Sequence, residues 1–383
     1  MDYTRHPLGY KLRKVLRYTG LYGPHRTWIK VKSQMRLHRK AADLPEMPAS
    51  PPAGGHVGIL GCGNFAYGNI AYYLRRNYGD VLRGAMDVDL AHAAALYRDY
   101  RLRYYTDDAE RLISDPEIDL VYVASNHASH APYAVAALRA GKAVHVEKPH
   151  CVDEGQLREL CGAMIETGRP VGLGFNRPGS RLGRLIQERL ASQSGAAMLN
   201  WFVAGHAIDP DHWYFHEREG GRVLGNLCHW TDFVYRLVPP EGRFPITVHP
   251  TRAERSDCDI AVNYLFGDGT IAAITFSAKG HTFEGVRERF AAHKGDVLLA
   301  LDDFRRLQVE VQAAKTVHRS LFRDHGHQER IRASYEMVRP RGAAAVAGDP
   351  VSYVWETGQL FLATRQALEE RRQVVVHPFS ESF

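Results

Sequence analysis

The segment that most restricts what this chain can fold into is Val57-Gly58-Ile59-Leu60, followed at once by Gly61-Cys62-Gly63-Asn64-Phe65-Ala66. A short apolar run that ends in G-x-G-x-x-A and opens a helical stretch reads as strand, tight turn and helix N-terminus in succession. Each position has a mechanical task. Gly61 makes the turn, Gly63 lets the backbone approach a pyrophosphate, and the small Ala66 lets helix and strand pack closely while the helix N-terminus faces the phosphates. The pattern is weak alone and gains weight from Asp87, 26 residues after Gly61 at the end of a second apolar run, where an acid would hold a ribose 2′-hydroxyl. The same carboxylate would repel a 2′-phosphate, and Val88 and Asp89 follow it rather than Arg or Lys, so NAD is expected over NADP.

From His56 onward, short apolar runs alternate with helical stretches. Strands are expected at 57–60, 81–86, 119–124 and 143–146, with a helix around 70–76. That rhythm belongs to a doubly wound parallel sheet with crossover helices. Past residue 195 the strands lengthen and alternate, at 196–203, 259–266 and 270–277, and Gly267-Asp268-Gly269 joins the last two as a hairpin turn. The expected fold is therefore α/β, a Rossmann sheet followed by an α+β domain with a mainly antiparallel sheet. The expected divisions are a basic arm and linker (1–50), a dinucleotide-binding domain (56–150), a substrate-binding and oligomerisation domain (151–350), and a C-terminal helix and tail (351–383).

Composition narrows the class. With 383 residues, 45% hydrophobic and 24% charged, the chain is neither disordered nor fibrous. No apolar run approaches the ~20 residues that cross a bilayer, and the N-terminus lacks the apolar centre of a secretory signal, so a cytoplasmic protein is expected. The five cysteines (Cys62, Cys151, Cys161, Cys228, Cys258) lack C-x-x-C spacing and read as reduced thiols, with no metal site expected. Residues 1–40 hold eleven Lys or Arg against Asp2, a charge of +10 that leaves −4 for the remainder of the net +6. The basic pI is thus a property of an arm and gives no reason to expect nucleic-acid binding. Within it, Leu12, Val15 and Leu16 among Lys11, Arg13, Lys14 and Arg17 form a short amphipathic pattern ending near Gly20. Such an arm could lie on anionic lipid headgroups, wrap a neighbouring subunit, or be a solvated tail.

Glu147-Lys148-Pro149 closes the fourth expected strand, and the carboxyl end of a parallel strand is where ligands bind in such sheets. With this tripeptide in place behind the glycine turn and Asp87, the chain resembles the glucose-fructose oxidoreductase and inositol dehydrogenase (Gfo/Idh/MocA) family over about residues 56–370. Supporting phrases are Asp115-Pro116-Glu117-Ile118-Asp119, Asn126-His127-Ala128-Ser129-His130 and Ala137-Leu138-Arg139-Ala140-Gly141-Lys142. The second half is similar to a subgroup in which this module often follows an alcohol-dehydrogenase-like domain. The residues carrying that likeness are Gly174-Phe175-Asn176-Arg177, Asp211-His212-Trp213, the stretch from Gly220 to His229 with Asp232, and Leu301-Asp302-Asp303-Phe304.

The resemblance implies an NAD(H)-dependent oxidoreductase moving hydride to or from a sugar or nucleotide-sugar hydroxyl or ketone, with surface-polysaccharide synthesis as one setting. A homo-oligomer, dimer or tetramer, would assemble through the C-terminal sheet. It implies Lys148 and His229 as catalytic residues, His229 with an ordinary pKa of ~6.5 suited to proton exchange. Asn64, Phe65, Asn126, His127, His130 and Glu147 would join Gly61, Gly63, Ala66, Asp87 and Lys148 around the cofactor. Asn176, Arg177, His212, Trp213 and Asn226 would join Lys148 and His229 around the substrate. Many family members carry Asp where this chain has Gly225, and the subgroup tends to carry Glu where it has Asn226. Proton traffic would then fall on Lys148 and His229. Two other readings stay open at this stage: a redox-neutral sugar lyase or glycosidase, and a catalytically silent NAD-binding sensor or scaffold.

Overall fold

The computed structural model describes residues 6–36, 44–205, 208, 211–252, 259–338 and 347–380; Cys258 and the arm residues Arg5, Arg39 and Lys40 lie outside them. The first sheet is β1 (Val57–Leu60), β2 (Leu82–Met86), β3 (Tyr104–Thr106), β4 (Leu120–Val123), β5 (Ala143–Val146) and β6 (Val171–Leu173), in the order β3-β2-β1-β4-β5-β6. All neighbours are parallel. Strands β1, β4 and β5 are buried at every residue, since helices cover both faces, and this is why they read as continuous apolar runs rather than alternating ones. The sheet extends through Leu173, beyond the boundary expected at residue 150.

Two helices precede this sheet, α1 (Leu8–Tyr22) and α2 (Pro24–Arg36), and five lie within or beside it: α3 (Tyr72–Tyr78), α4 (Leu90–Tyr100), α5 (Ala109–Ile113), α6 (His127–Arg139) and α7 (Glu154–Thr167). Aspartates open three of them, Asp89 accepting from Ala91 N, Asp108 from Glu110 N and Asp153 from Gln156 N, each satisfying a donor the helix cannot use.

The second sheet contains β7 (Ala197–Ala204), β8 (Ile246–Arg252), β9 (Asp259–Leu265), β10 (Ile271–Ser277), β11 (Arg287–Lys294), β12 (Val297–Asp302), β13 (Arg306–Val311), β14 (Ala314–Arg319) and β15 (Val374–Val376). Its order is β14-β13-β12-β11-β7-β10-β9-β8-β15, antiparallel except for the β7–β10 pair. Burial alternates along β7, β9, β10, β11 and β12, as one-sided cover requires. Helices α8 (Arg181–Ala191), α9 (Cys228–Leu237), α10 (His327–Glu336) and α11 (Val351–Glu370) complete the chain. Helix α11 packs on both α7 and β8, so the C-terminal segment ties the two sheets together. One apolar core runs from Val121, Val144 and Phe175 of the first half to Trp201, Leu224 and Phe233 of the second.

The arm differs most from expectation. It is neither a solvated tail nor a short helix ending at Gly20, but a helical hairpin turned at Gly23 (φ 84°) and packed on its own chain. Helix α2 meets the helix after the glycine turn: Arg26 donates to Gly68 O (2.6 Å) and Asn69 Oδ1 (2.7 Å), and Arg36 to Cys62 O (2.5 Å). Helix α1 meets the second half through an Arg17–Glu284 ion pair and the Arg323 amide, which donates to Leu21 O at 2.7 Å. The polar side chains of α2 carry this contact, which is why no apolar stripe announced that helix.

A candidate dinucleotide and substrate cleft

At the carboxyl end of β1, Gly61 has φ 88°, and a Cβ there would lie 2.4 Å from Ser125 N, so turn and neighbouring strand end approach as only glycine allows. A Cβ on Gly63 would meet nothing within 4 Å, leaving that backbone open to a ligand. Ala66 is fully buried at the start of a π-helical turn, Ala66–Ala71, that continues into α3. Asp87 accepts from Cys62 N (2.6 Å) and Asp89 N (2.9 Å), which fixes its carboxylate beside the glycine turn with lone pairs left for a diol. Asn64 Oδ1 accepts from Ser33 Oγ of the arm at 2.7 Å, and Phe65 packs edge-on against His327 with ring centres 5.3 Å apart. Turn, open backbone and anchored carboxylate fit a dinucleotide.

Beyond this edge lies a cavity of about 540 Å³ whose lining includes Asn64, Phe65, His127, His130, Glu147, Lys148, Asn176, Arg177, Trp213, Asn226 and His229. Residues drawn from distant parts of the sequence are thus brought into one chamber. Gly61, Gly63, Ala66, Asp87, Asn126 and His212 do not line the chamber; the first four belong to the glycine turn and its neighbour β2, Asn126 precedes α6, and His212 lies beside Trp213.

Lys148, two residues past the end of β5, is half-buried, and its Nζ donates to Gly225 O at 2.6 Å. Burial lowers its pKa, opposed by Cys228 and Glu147 and reinforced by Arg177. Glu147 is held 3.2 Å from His145 Nε2, and His145 Nδ1 lies 2.7 Å from Ser334 Oγ. A side chain on Gly174 would strike the Glu147 carboxylate at 2.6 Å, so glycine is needed there.

His229 lies in the first turn of α9 and is 8% exposed. Its behaviour corrects the sequence-based expectation. Burial first, then the positive charges of Arg177 and Lys148, push its pKa well below 6.5, which favours the neutral ring. Its Nδ1 and the Oδ1 of Asn226 are buried without a protein partner. Unpartnered polar atoms are costly in a protein interior, and two of them on one cavity wall mark where a polar ligand would bind.

The outer wall is held by Glu219, which no local signal in the sequence singled out. Its carboxylate accepts from Asn126 Nδ2 (2.6 Å) and Ala128 N (3.2 Å), and its carbonyl lies 2.8 Å from His127 Nδ1. It thereby caps α6 from the second half of the chain. His130 sits between Pro149 O (2.7 Å) and Ser125 O (3.1 Å). Burial lowers the pKa of His127 to about 2, with Lys148 adding to the effect. Trp213, 39% exposed, meets His127 edge to face at 5.0 Å and offers its free side to the cavity. His212 Nδ1 accepts from Tyr214 N at 3.3 Å, so it caps that turn. Asn176 donates to His325 O (2.6 Å), and Arg177 donates to the fully buried Glu288 (2.6 Å) while lying over Trp230.

Gly225 explains the family departure. A Cβ there would fall 2.1 Å from Tyr214 Oη and 2.5 Å from His127 Cε1. The space a carboxylate would need is filled by a phenol ring. The arm also enters the chamber: Tyr18, Tyr22, Arg26 and Lys30 line it together with Arg323, His325 and His327. Sequence reasoning missed all of these, because long-range packing alone brings them here.

A parallel sheet of this strand order, an open glycine turn, a carboxylate fixed beside it and a chamber closed by loops and helices of the second half define a two-domain dinucleotide-dependent oxidoreductase. Residues 56–175 match the model of the GFO_IDH_MocA oxidoreductase family, described as an NAD-binding Rossmann fold. Among curated proteins, the uncharacterized oxidoreductase YrbE of Bacillus subtilis is 26% identical over 76% of this chain and 86% of its own length. Inositol 2-dehydrogenase of Pseudomonas syringae is 34% identical over 32% of this chain; the match spans 37% of that protein. Aldose-aldose oxidoreductase from Caulobacter crescentus shares the fold with a TM-score of 0.71 at 16% identity, over 85% of this chain and all of its own. Levoglucosan dehydrogenase, solved with NADH and levoglucosan, gives a TM-score of 0.73 at 16% identity over the same shares.

Proposed function

We propose that this protein transfers hydride between NAD(H) and a hydroxyl-bearing or ketone carbon of a sugar, nucleotide-sugars included, and that it works as a homo-oligomer. The observation carrying this reading is that the amine of Lys148 and the imidazole of His229, 81 positions apart, line one chamber beyond the glycine turn. The related proteins named inositol 2-dehydrogenase and levoglucosan dehydrogenase favour a polyol or sugar substrate. Arg26 and Lys30 at the chamber, whose other arginines Arg177 and Arg323 are paired with Glu288 and Asp303, favour one that carries negative charge.

NAD held on Gly61, Gly63, Ala66 and Asp87 supplies the hydride acceptor. Lys148, with its lowered pKa, takes the proton of the reacting hydroxyl and returns it in the reverse direction. His229, neutral, holds the same oxygen or its neighbour through a ring N–H, and the Asn226 amide orients an adjacent hydroxyl. Trp213 gives a flat face to the sugar ring. Exposed Leu298, Met198, Ile271 and Leu265 on the open face of the second sheet support self-association there.

The test is nucleotide absorbance at 340 nm with a panel of cyclitols, aldoses and nucleotide-sugars, for the native protein and Lys148→Met. Turnover that falls by ~10²–10⁴ in the variant, with NADH affinity retained, is expected. Undiminished turnover in the variant removes Lys148 from the chemistry, and no net change of nucleotide with any sugar refutes the dehydrogenase reading.

A further inference from the structure

Helix α1 faces the wrong way for an ordinary surface helix, whose apolar stripe turns to the core. Its polar side meets the protein: Lys14 Nζ donates to Thr282 O at 3.3 Å, Arg17 pairs with Glu284, and the ring of Tyr10 lies 5.0 Å from that of Phe283. Its leucines point outward. Leu8, Leu12 and Leu16 are 71%, 55% and 71% exposed, and their even spacing confines them to about 80° of arc over ~12 Å of helix. Helix α2 repeats the arrangement with Trp28 and Met35, both exposed and two turns apart on one face. Val15, Val31 and Met35 line a groove of about 670 Å³ between the two helices, so the apolar surface continues from one to the other. The geometry points to this outer face of the hairpin as a docking surface for an anionic lipid bilayer, whichever substrate the chamber takes.

Charge decides which apolar partner fits. Residues 1–40 carry +10, so a second copy docked on the same face would bring two such arms together, whereas a layer of anionic headgroups attracts them. Several of these charges are spent within the fold, on Glu284, Asp99 and the carbonyls of Thr282, Gly68 and Cys62. Lys11 and Arg13 meet no acid among the described residues, and they flank Leu12 at ~100° to either side of the stripe. Cations so placed keep their charged ends among headgroups while their stems follow the leucines inward, and the amphipathic ring of Trp28 favours the same depth. Among the described residues no helix is long and apolar enough to cross a bilayer, so the hairpin would lie along the interface. Tyr18 and Tyr22 of α1, with Arg26 and Lys30 of α2, line the catalytic chamber, so docking would hold that chamber beside the membrane surface.

The test is cosedimentation of the full chain, saturated with NADH, with vesicles of phosphatidylcholine alone or mixed equally with phosphatidylglycerol. The native protein should bind the mixed vesicles more than about tenfold better than the neutral ones. Leu12→Glu/Leu16→Glu and Lys11→Glu/Arg13→Glu should each weaken that binding more than about tenfold, with melting midpoint and NADH titration as in the native protein. Bromine-labelled acyl chains in the mixed vesicles should quench the native tryptophan fluorescence and lose that effect in Trp28→Phe; if either double variant misfolds, this measurement decides alone. No binding to mixed vesicles, equal binding to neutral ones, binding undiminished in either double variant, or no quenching at Trp28 overturns the assignment. A light-scattering mass that falls in Leu12→Glu/Leu16→Glu without lipid gives the stripe to a second copy of the chain and overturns it equally.

Discussion

Gly225→Ala is the sharpest single perturbation of the catalytic wall. The added methyl carbon would lie 2.1 Å from the Tyr214 hydroxyl oxygen, 2.2 Å from its Cζ and 2.5 Å from His127 Cε1, all well inside van der Waals contact. Neither ring can yield freely. Tyr214 is 8% exposed and packs edge-on against His127 at 4.8 Å, and His127 Nδ1 is held 2.8 Å from Glu219 O. Two terms oppose each other: helix propensity favours alanine over glycine by ~1 kcal/mol, and overpacking a filled site costs ~1–3 kcal/mol or more. With two rigid rings overlapped, the second term wins, and a net loss of about 1–3 kcal/mol is expected. At roughly 2–4 °C per kcal/mol for a domain of about 200 residues, the melting midpoint falls by about 2–12 °C, read by differential scanning fluorimetry. The displaced backbone also moves the carbonyl that receives Lys148 Nζ, so kcat falls with it. In the Gly225→Ala/Tyr214→Leu double variant the new methyl occupies vacated space, and the two losses combine to less than their sum by ~0.5–3 kcal/mol. A native-like midpoint in Gly225→Ala, or strict additivity in the pair, refutes the account, including its explanation of why the family's aspartate has no place here.

The remaining expectations concern cofactor choice, acid stability and assembly. Asp87→Ser removes a carboxylate that backbone amides hold beside the glycine turn, so NADH affinity should fall by ~10–100-fold while NADPH gains, measured by fluorescence titration; an unchanged NADH/NADPH ratio contradicts the role given to Asp87. Burial lowers the pKa of His127 to about 2, His327 to about 3 and His150 to about 4, whereas the unfolded chain binds those protons near 6.5. The unfolded state thus holds more protons between those limits, and stability is present above pH 6.5 and lost as the pH falls. For His150 alone, 1% exposed, the gap between 6.5 and about 4 is worth up to ~3 kcal/mol, and a melting midpoint unchanged from pH 7 to pH 5 would deny it. On the open face of the second sheet, Leu298, Met198, Ile271 and Leu265 are 54%, 64%, 47% and 42% exposed and follow the strand register in one row through His293. Met198→Glu with Phe202→Glu should reduce the light-scattering mass to that of a monomer, and an unaltered oligomer would place assembly elsewhere.

Much of the first half was legible because its physics is local. A glycine turn after a strand needs no partner to be recognised, and strands buried on both faces, such as Leu-Val-Tyr-Val at 120–123, show as uninterrupted apolar runs. Strands β3 and β6 escaped notice, each three residues long and lacking any period to detect. The two π-helical turns, Ala66–Ala71 and Val223–Leu227, also left no mark in the sequence, though one follows the dinucleotide turn and the other carries Gly225 and Asn226. Lys148 and His229 could be named as a pair only through the family resemblance. The titration of His229 could not be read at all, because its cause is the burial and charge that Arg177 and Lys148 impose from other segments.

The arm shows why charge density along a sequence is a poor guide to where charge ends up. Its excess of lysine and arginine reads as a solvated or lipid-seeking tail, because a single acid, Asp2, accompanies it in sequence. In the folded chain Arg26 and Arg36 turn to carbonyl and amide oxygens, while Arg17 and Lys32 pair with Glu284 and Asp99 from elsewhere in the sequence. Arg36, 4% exposed, spends its guanidinium on the Cys62 carbonyl of the glycine turn and on the face of Tyr67, 4.4 Å away, and Arg26 spends its own on Gly68 and Asn69. Those oxygens belong to the glycine turn and to the helix that follows it. The hairpin is therefore part of the cofactor edge and the outer wall of the catalytic chamber, coupled to both through the same few arginines. Any change that frees α2 is therefore expected to alter dinucleotide affinity, read by NADH fluorescence titration, as well as the shape of the chamber.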